Sequence, residues 1–80
     1  MEPTNLIEPH ILVAEALECA VDDLFDGAAL GGHPKWDSLA HVRVMLALER
    51  HYGVTLDDDS IRTYTTLEAV VARHRALKDV

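Results

Sequence analysis

The chain of 80 residues is long enough for one small domain, and with 49% hydrophobic residues it can bury only a modest core. Seven Lys and Arg are set against fourteen Asp and Glu, which gives a formal net charge of -7 and an isoelectric point near 4.9. Nucleic acids and anionic membranes bind proteins through cationic groups, so both partner classes are disfavoured.

The sequence near Met1 leads us to expect no secretion signal there. MEPTNLIEPH has neither a basic segment nor a long apolar run, and no later stretch approaches the length of a membrane span. Cys19 is the only cysteine, so no internal disulfide can form, and we expect it to be a small buried residue. We expect a cytoplasmic monomer with one domain over residues 1–80, and the polar start after Met1 hints at a free-standing protein.

Apolar residues near the start recur at three- and four-residue spacing, which predicts a helix over roughly residues 7–21. The members of this stripe are Ile11, Ala14, Leu17 and Val21. Pro9 suits the first helical turn, because its missing N–H has no intrahelical acceptor there in any case.

A long loop should follow. The run DDLFDGAALGGHPK contains three glycines and a proline and cannot form a continuous helix. Loops of this length are uncommon in compact domains and are often functional. We expect Leu24, Phe25, Leu30 and Trp36 to pack this loop against the rest of the domain.

A second helix is predicted from Asp37 to Gly53, because Asp37 is a good capping residue and Gly53 suits a helix C-terminus. Its apolar residues lie on more than one side of the helix: Leu39, Val42, Met45, Leu46, Leu48 and Tyr52. Such a helix is either central in a bundle or offers an apolar face to a partner.

Two further helices are predicted towards the C-terminus. LDDDSIRTY favours a short helix or turn capped by Asp57 or Asp58. Thr65 and Glu68 have the spacing of a capping box, which predicts a last helix over about residues 66–78. No alternating strand pattern of useful length occurs, so the expected fold is all-α, a small bundle of three main helices plus one short helix.

Ser38 stands where the polar loop meets the second helix, and Asp37 already supplies the cap. It could be a plain helix-start residue, or a hydrolytic nucleophile with His41 as its base. It could also be a covalent attachment point, because a helix N-terminus favours an attached phosphate. A hydrolase is disfavoured, since there is no G-x-S-x-G turn, no strand to carry one and no large pocket expected.

The histidines show no tight pairing of the kind that binds metals, and Cys19 has no partner at metal-ligand spacing. The histidines are His10, His33, His41, His51 and His74. We expect them to be exposed to solvent and expect no metal site.

The stretch WDSLAHVRVMLALERHYGVTLDDDSIRTYTTLEAVV closely resembles the acyl carrier protein and phosphopantetheine-binding domain family. The similarity runs from about Trp36 to Val71 and extends more weakly to the first helix. The features that carry it are Asp37-Ser38-Leu39, Leu48-Glu49 followed by Tyr52 and Gly53, and Thr65-Thr66-Leu67.

In that family a serine carries 4'-phosphopantetheine, which a separate transferase takes from coenzyme A. The thiol of this arm holds an acyl or aminoacyl group as a thioester. The resemblance therefore implies a carrier with no catalytic residues, with Ser38 as the attachment residue and Asp37 and Leu39 as recognition neighbours. The implied partners are a phosphopantetheinyl transferase and enzymes that load or process the acyl or aminoacyl group.

The resemblance also implies a partner surface on the second helix: Leu39, Val42, Arg43, Leu46, Glu49 and Arg50. Many family members have an acidic second helix, whereas here Asp37 and Glu49 are balanced by two arginines, so apolar contacts should matter more than charge. Leu56, Ile61 and Tyr64 match positions that line an acyl cavity in some carriers. They are equally compatible with plain core positions, and the bulky Tyr64 ring could close such a cavity.

The run LGGH, from Leu30 to His33, looks like the sequence before the modified serine of peptidyl carrier domains, but Pro34 stands where that serine would be. This likeness keeps a nonribosomal-peptide or aminoacyl carrier open, whereas WDSL looks more like stand-alone carriers of secondary metabolism such as polyketide synthesis. An alternative from a different class is an unmodified helical interaction module. Such a module would dock through the second helix and would not need Ser38.

Overall fold

A computed structural model describes residues 6–78, which form four α-helices. These are α1 (Pro9–Leu17), α2 (Ser38–Tyr52), α3 (Asp58–Thr63) and α4 (Leu67–Lys78), and a 3₁₀ turn spans Val21–Asp23. Residues 6–78 contain no strand beyond a single antiparallel bridge between Ala29 and Thr66. The predicted all-α bundle of three main helices and one short helix is confirmed. Within this range, no helix is both long and apolar enough to cross a membrane.

The core lies where α1, α2 and α4 pack together. Its largest fully buried side chains are Leu12, Val13, Leu17, Trp36, Val44, Leu48, Leu67 and Val70. Two hydrogen bonds show that α1 and α2 run antiparallel. The Arg43 Nε–H donates to the Ala16 carbonyl near the end of α1 (2.7 Å), and the Tyr52 hydroxyl donates to the Ile7 carbonyl just before α1 begins.

The hydroxyl of Tyr52 is shielded from water at the end of α2. Burial raises the pKa of Tyr52 to about 12, and the negative charge of Glu8 adds to the rise. The hydroxyl therefore stays protonated across the neutral range and remains a donor to the Ile7 carbonyl. This contact fixes the entry of the chain into α1.

The first helix is shorter than predicted and ends at Leu17 rather than near residue 21. Glu18 adopts a left-handed conformation with φ 59° and ψ 44°, and the Cys19 N–H returns to the Ala14 carbonyl at 3.0 Å. These features terminate the helix without a glycine, which is the usual residue at this position. Cys19 is half-buried. Burial raises the pKa of its thiol, and the negative charge of Asp23 adds to the rise.

The other helices begin and end close to the predicted residues, with one error. Asp37 and Asp57 cap α2 and α3, and Gly53 ends α2 in the left-handed conformation at φ 68°. The predicted capping box of Thr65 and Glu68 is wrong. The Thr66 hydroxyl accepts the Ala69 N–H instead (3.0 Å), one residue later.

The loop between α1 and α2 explains this shift, because it pairs with the start of α4. The Leu30 N–H donates to the Thr65 carbonyl (2.8 Å), and the Leu67 N–H donates to the Ala28 carbonyl (2.9 Å). The Thr65 carbonyl is thereby bound by the loop, Thr66 lies in the bridge, and the helix begins only after Thr66. Ala28 is buried beneath this pairing, so a segment without regular structure becomes part of the bundle.

Three of the four side chains expected to pack this loop do so, and one does not. Trp36 is fully buried, and Leu24 and Leu30 are half-buried against the core. Phe25 is 49% exposed and stacks on the ring of His33, with 5.4 Å between ring centroids. A neighbouring polar ring, rather than the apolar core, therefore holds Phe25.

The left-handed residue at the end of α1 yields a stability prediction. Glu18→Gly should raise the free energy of unfolding by about 1 kcal/mol, because glycine adopts this conformation without a steric cost. Glu15→Gly is the matched control: it also replaces an exposed glutamate, but inside α1, and should lower stability by about 1 kcal/mol. Urea unfolding followed by circular dichroism measures both. A loss of stability in Glu18→Gly would contradict the prediction.

Candidate functional site

Ser38 is the first residue of α2, and its side chain is exposed. The Asp37 carboxylate accepts the Ala40 N–H at 2.8 Å, and the Asp37 carbonyl accepts the His41 N–H at 2.9 Å. Capping is therefore done by Asp37, and the Ser38 hydroxyl is not needed for it. The N–H groups of a first helical turn and the positive end of the helix dipole favour an anion at this point. A phosphate ester on Ser38 would fit this position.

Next to Ser38, a buried hydrogen bond and a partly buried one connect the loop, α2 and α3. The Trp36 indole N–H donates to Nδ1 of His41 at 3.1 Å, and Nε2 of His41 lies 3.0 Å from the Ile61 carbonyl oxygen. Because Nδ1 accepts a hydrogen bond, the ring proton resides on Nε2, which donates to Ile61. Both rings are buried. We call this arrangement the Trp36–His41–Ile61 chain.

The same geometry argues against His41 as a catalytic base for Ser38. A general base must accept the nucleophile's proton through a free ring nitrogen within hydrogen-bond distance. In His41, Nδ1 is occupied by Trp36, and Nε2 donates to Ile61. His41 is therefore a structural residue, and the Ser38–His41 hydrolase loses its base.

His33 has a comparable structural role in the loop. Its Nε2 lies 2.9 Å from the Asp23 carbonyl, and its Nδ1 accepts the Lys35 N–H at 3.0 Å. The ring is buried and joins the beginning of the loop to its end. The run LGGH, which looked like a peptidyl carrier motif, here supplies a histidine that fixes the loop ahead of Ser38.

The expectation that all five histidines are exposed is therefore wrong for His33, His41 and His74. His74 is buried beside the Tyr52 ring, with its Nε2 3.9 Å from the Glu8 carboxylate. These three side chains are buried against backbone carbonyls and neighbouring rings. The spacing of the histidines in the sequence gives no sign of these contacts. His10 and His51 are exposed as expected. Across residues 6–78, no three His, Cys, Asp or Glu side chains cluster in a way that could hold a metal ion.

The second helix is buried on one side and apolar on the other. Met45, Leu48 and Tyr52 lie in the core. The opposite side exposes three apolar residues, Leu39 (69% exposed), Val42 (54%) and Leu46 (50%). We call these three the α2 ridge. Both expectations for this helix, a central position and an apolar outer face, are therefore met by different faces.

The charged residues predicted for the partner surface differ in exposure and in their contacts with the rest of the protein. Arg43 is half-buried and donates from Nε to the Ala16 carbonyl, so part of its guanidinium stabilises the end of α1. Glu49 and Arg50 are exposed beside the α2 ridge. Arg43 and Arg50 also line a groove of about 280 Å³ between α1 and α2, to which Glu15 of α1 contributes a carboxylate.

A smaller cavity of about 140 Å³ lies on the other side of the ridge, and the surface that lines it is apolar. Its walls are formed by His41, Val42, Met45, Leu46, Leu56 and Ile61. The cavity therefore includes two of the three predicted acyl-cavity residues, Leu56 and Ile61. Tyr64 is half-buried against the core instead, as in the alternative reading of a plain core residue. The four lining residues from α2 were not predicted, because their role depends on how α3 lies against α2.

A comparison with protein families decides the identity of the chain. The family described as the phosphopantetheine attachment site matches residues 12–73, most of the chain. The chain belongs to this family. No curated protein matches it significantly. Domains of this family are the sites of covalent 4'-phosphopantetheine attachment, so the protein is a phosphopantetheine carrier. Such carriers are typically non-catalytic and interact with transferases and processing enzymes.

The cap at the start of α2 gives a prediction that separates hydrogen bonding from charge. Asp37→Ala should lower the free energy of unfolding by about 1 kcal/mol, because the Ala40 N–H loses its acceptor. Asp37→Asn should change the free energy of unfolding by only about 0.3 kcal/mol, since asparagine caps a helix as well as aspartate does. Urea unfolding of both variants measures the difference. Equal losses in the two would show that the carboxylate charge, and not the cap, stabilises α2.

Proposed function

We propose that the protein is an acyl or aminoacyl carrier in which Ser38 bears the 4'-phosphopantetheine arm. The observation that carries the proposal is the exposed position of Ser38 at the N-terminus of α2, inside the region that matches the family. The chain has one other serine, Ser60. It lies half-buried within the short α3, where Asp57 caps its N–H, so it lacks the corresponding position.

In the modified protein, the thiol of the arm would hold the acyl or aminoacyl group, the cargo, as a thioester. During attachment, the Ser38 hydroxyl loses its proton and forms a phosphodiester with the phosphopantetheinyl group of coenzyme A, whose nucleotide part leaves. The positive end of α2 stabilises the new negative charge. Asp37 holds the first turn in place through the Ala40 N–H, and Trp36 and His33 fix the preceding loop.

The attachment test is a mass measurement. The protein is incubated with coenzyme A, magnesium and a broad-specificity phosphopantetheinyl transferase, and its intact mass is then determined. We expect the parent and Ser60→Ala to gain one phosphopantetheine and Ser38→Ala to gain none. Modification of Ser38→Ala would contradict the assignment of the site. Absence of a gain on well-folded parent protein with several transferases would instead support the unmodified interaction module.

We further propose that partner enzymes dock on the α2 ridge, with Asp37 and Leu39 next to the arm. The ridge places three apolar side chains on the surface directly after Ser38, where an enzyme that reaches the arm must pass. The ridge is flanked by Glu49 and Arg50, of opposite charge, so apolar contact should supply affinity while these charges set orientation. Arg43 would contribute less, since it is partly engaged with α1.

The transferase provides a test of this docking surface. Leu46→Ala should lower kcat/KM for Ser38 modification by roughly fivefold, which corresponds to about 1 kcal/mol of lost apolar contact. Ile11→Ala is the matched control, because it also truncates a half-exposed aliphatic side chain, but on α1. Its kcat/KM should stay close to that of the parent. Equal effects of the two variants would contradict docking through the ridge.

The remaining features of the role rest on resemblance. WDSL favours a stand-alone carrier, and we propose polyketide, nonribosomal-peptide or related secondary metabolism as its setting. The domain over residues 1–80 would act as a monomer in the cytoplasm, where coenzyme A and a transferase would be available to it. The cavity beside Leu56 and Ile61 offers an apolar place for part of the cargo.

A further inference from the structure

His41 belongs to two features of the molecule at once. It is the middle residue of the Trp36–His41–Ile61 chain, and it also lines the apolar cavity from the side of α2. Ile61, whose carbonyl accepts the His41 Nε2–H, lines the cavity from the side of α3. The hydrogen bond therefore joins two walls of the cavity.

The size of the cavity limits what it can hold. A volume of about 140 Å³ is close to that of an apolar cavity of roughly 150 Å³ that binds benzene in another protein. This suits an acyl chain of a few carbons. The cavity is partly open to solvent, because Leu56 and Ile61 are 38% and 43% exposed. The end of a longer chain would therefore project into water, unless α3 moved away from α2 and deepened the cavity.

Such a movement would break the bond between His41 and Ile61. The His41 ring is buried, and a buried N–H without an acceptor is costly. The ring cannot easily turn to find another acceptor, because its Nδ1 is held by the Trp36 indole N–H. The cost of losing this bond opposes enlargement of the cavity, while an apolar chain that remains outside loses only the benefit of burial.

We propose that His41 is a specificity-determining residue that restricts the cavity to short acyl groups by holding α3 against α2. The inference rests on the proposed function, since the cargo reaches the cavity from the arm on Ser38. Trp36 has a different role, because it orients the His41 ring but does not connect α2 to α3.

The test uses protein loaded at Ser38 with acetyl-, butyryl-, hexanoyl-, octanoyl- or dodecanoyl-phosphopantetheine from the corresponding coenzyme A esters. Thermal unfolding reports whether a chain is buried, because a bound apolar group stabilises the folded state. In the parent, the midpoint should rise over the short members of the series and then level off. The indole N–H resonance of Trp36, the only tryptophan, should stay in place throughout.

His41→Asn tests the hydrogen bond between His41 and Ile61 by itself. Its side-chain amide reaches the position of Nδ1 and can still face Trp36, but it is too short to reach the Ile61 carbonyl. In this variant the midpoint should continue to rise with octanoyl and dodecanoyl groups. Trp36→Phe is the matched control, because it also removes one hydrogen bond of His41 and leaves the bond to Ile61. It should level off at the same chain length as the parent.

A second variant keeps the test decisive where His41→Asn does not fold. His41→Gln can reach the Ile61 carbonyl from the Nε2 position and should restore the limit of the parent. The proposal would be overturned by a parent midpoint that rises up to the dodecanoyl group, by a His41→Asn series with the parent's limit, or by a His41→Gln series without a limit. Failure of Ser38 to accept any arm would be seen beforehand by mass, and would contradict the proposed function rather than this inference.

Discussion

The structure around Ser38 depends on a neutral histidine buried between two hydrogen-bond partners. His41 accepts from Trp36 through one nitrogen and donates to Ile61 through the other. No apolar side chain of similar size could satisfy both partners, and an unpaired indole N–H or carbonyl in this buried position would destabilise the fold. Three segments that are separate in sequence, the end of the loop, α2 and α3, meet at this ring. Their arrangement therefore depends on one side chain.

The long loop needs such fixed points because it has almost no regular structure of its own. His33 ties its beginning to its end, the bridge between Ala29 and Thr66 joins it to α4, and Trp36 is buried at its junction with α2. These contacts are all made by groups other than Ser38. The serine that we propose as the attachment site can thus remain exposed while the backbone that presents it is held in place.

The parts of this arrangement that depend on local signals could be predicted from the sequence. Asp37, Asp57 and Gly53 mark helix ends through interactions with residues at most five positions away, and the structure places them there. The left-handed Glu18 could not be predicted, because glutamate rarely adopts this conformation and nothing in its own chemistry demands it.

The capping residue of α4 was misplaced by one position for a related reason, since the pairing of Thr65 with Leu30 across the bundle overrides a plausible local cap. The buried histidines were missed because their partners are backbone carbonyls and ring atoms whose positions only the fold determines. The cavity shows the same limit. Leu56 and Ile61 were identified by resemblance, but the wall from α2 required knowing where α3 lies.

The second helix has an apolar outer face with few acidic residues, although the protein as a whole is strongly acidic. The chain carries a formal charge of -7, yet α2 contains one acidic residue, Glu49, and two arginines. One of these, Arg43, donates to the Ala16 carbonyl near the end of α1, where a cation is favourable because of the helix dipole. The outer face is therefore left with three apolar side chains and little net charge. Long-range attraction from the rest of the protein can bring a basic enzyme near. In the docking mode that we propose, the final fit then comes from the shape of the α2 ridge. A partner that recognises this carrier should accordingly present an apolar hollow for Leu39, Val42 and Leu46, since a uniformly basic patch would leave those side chains without a complement.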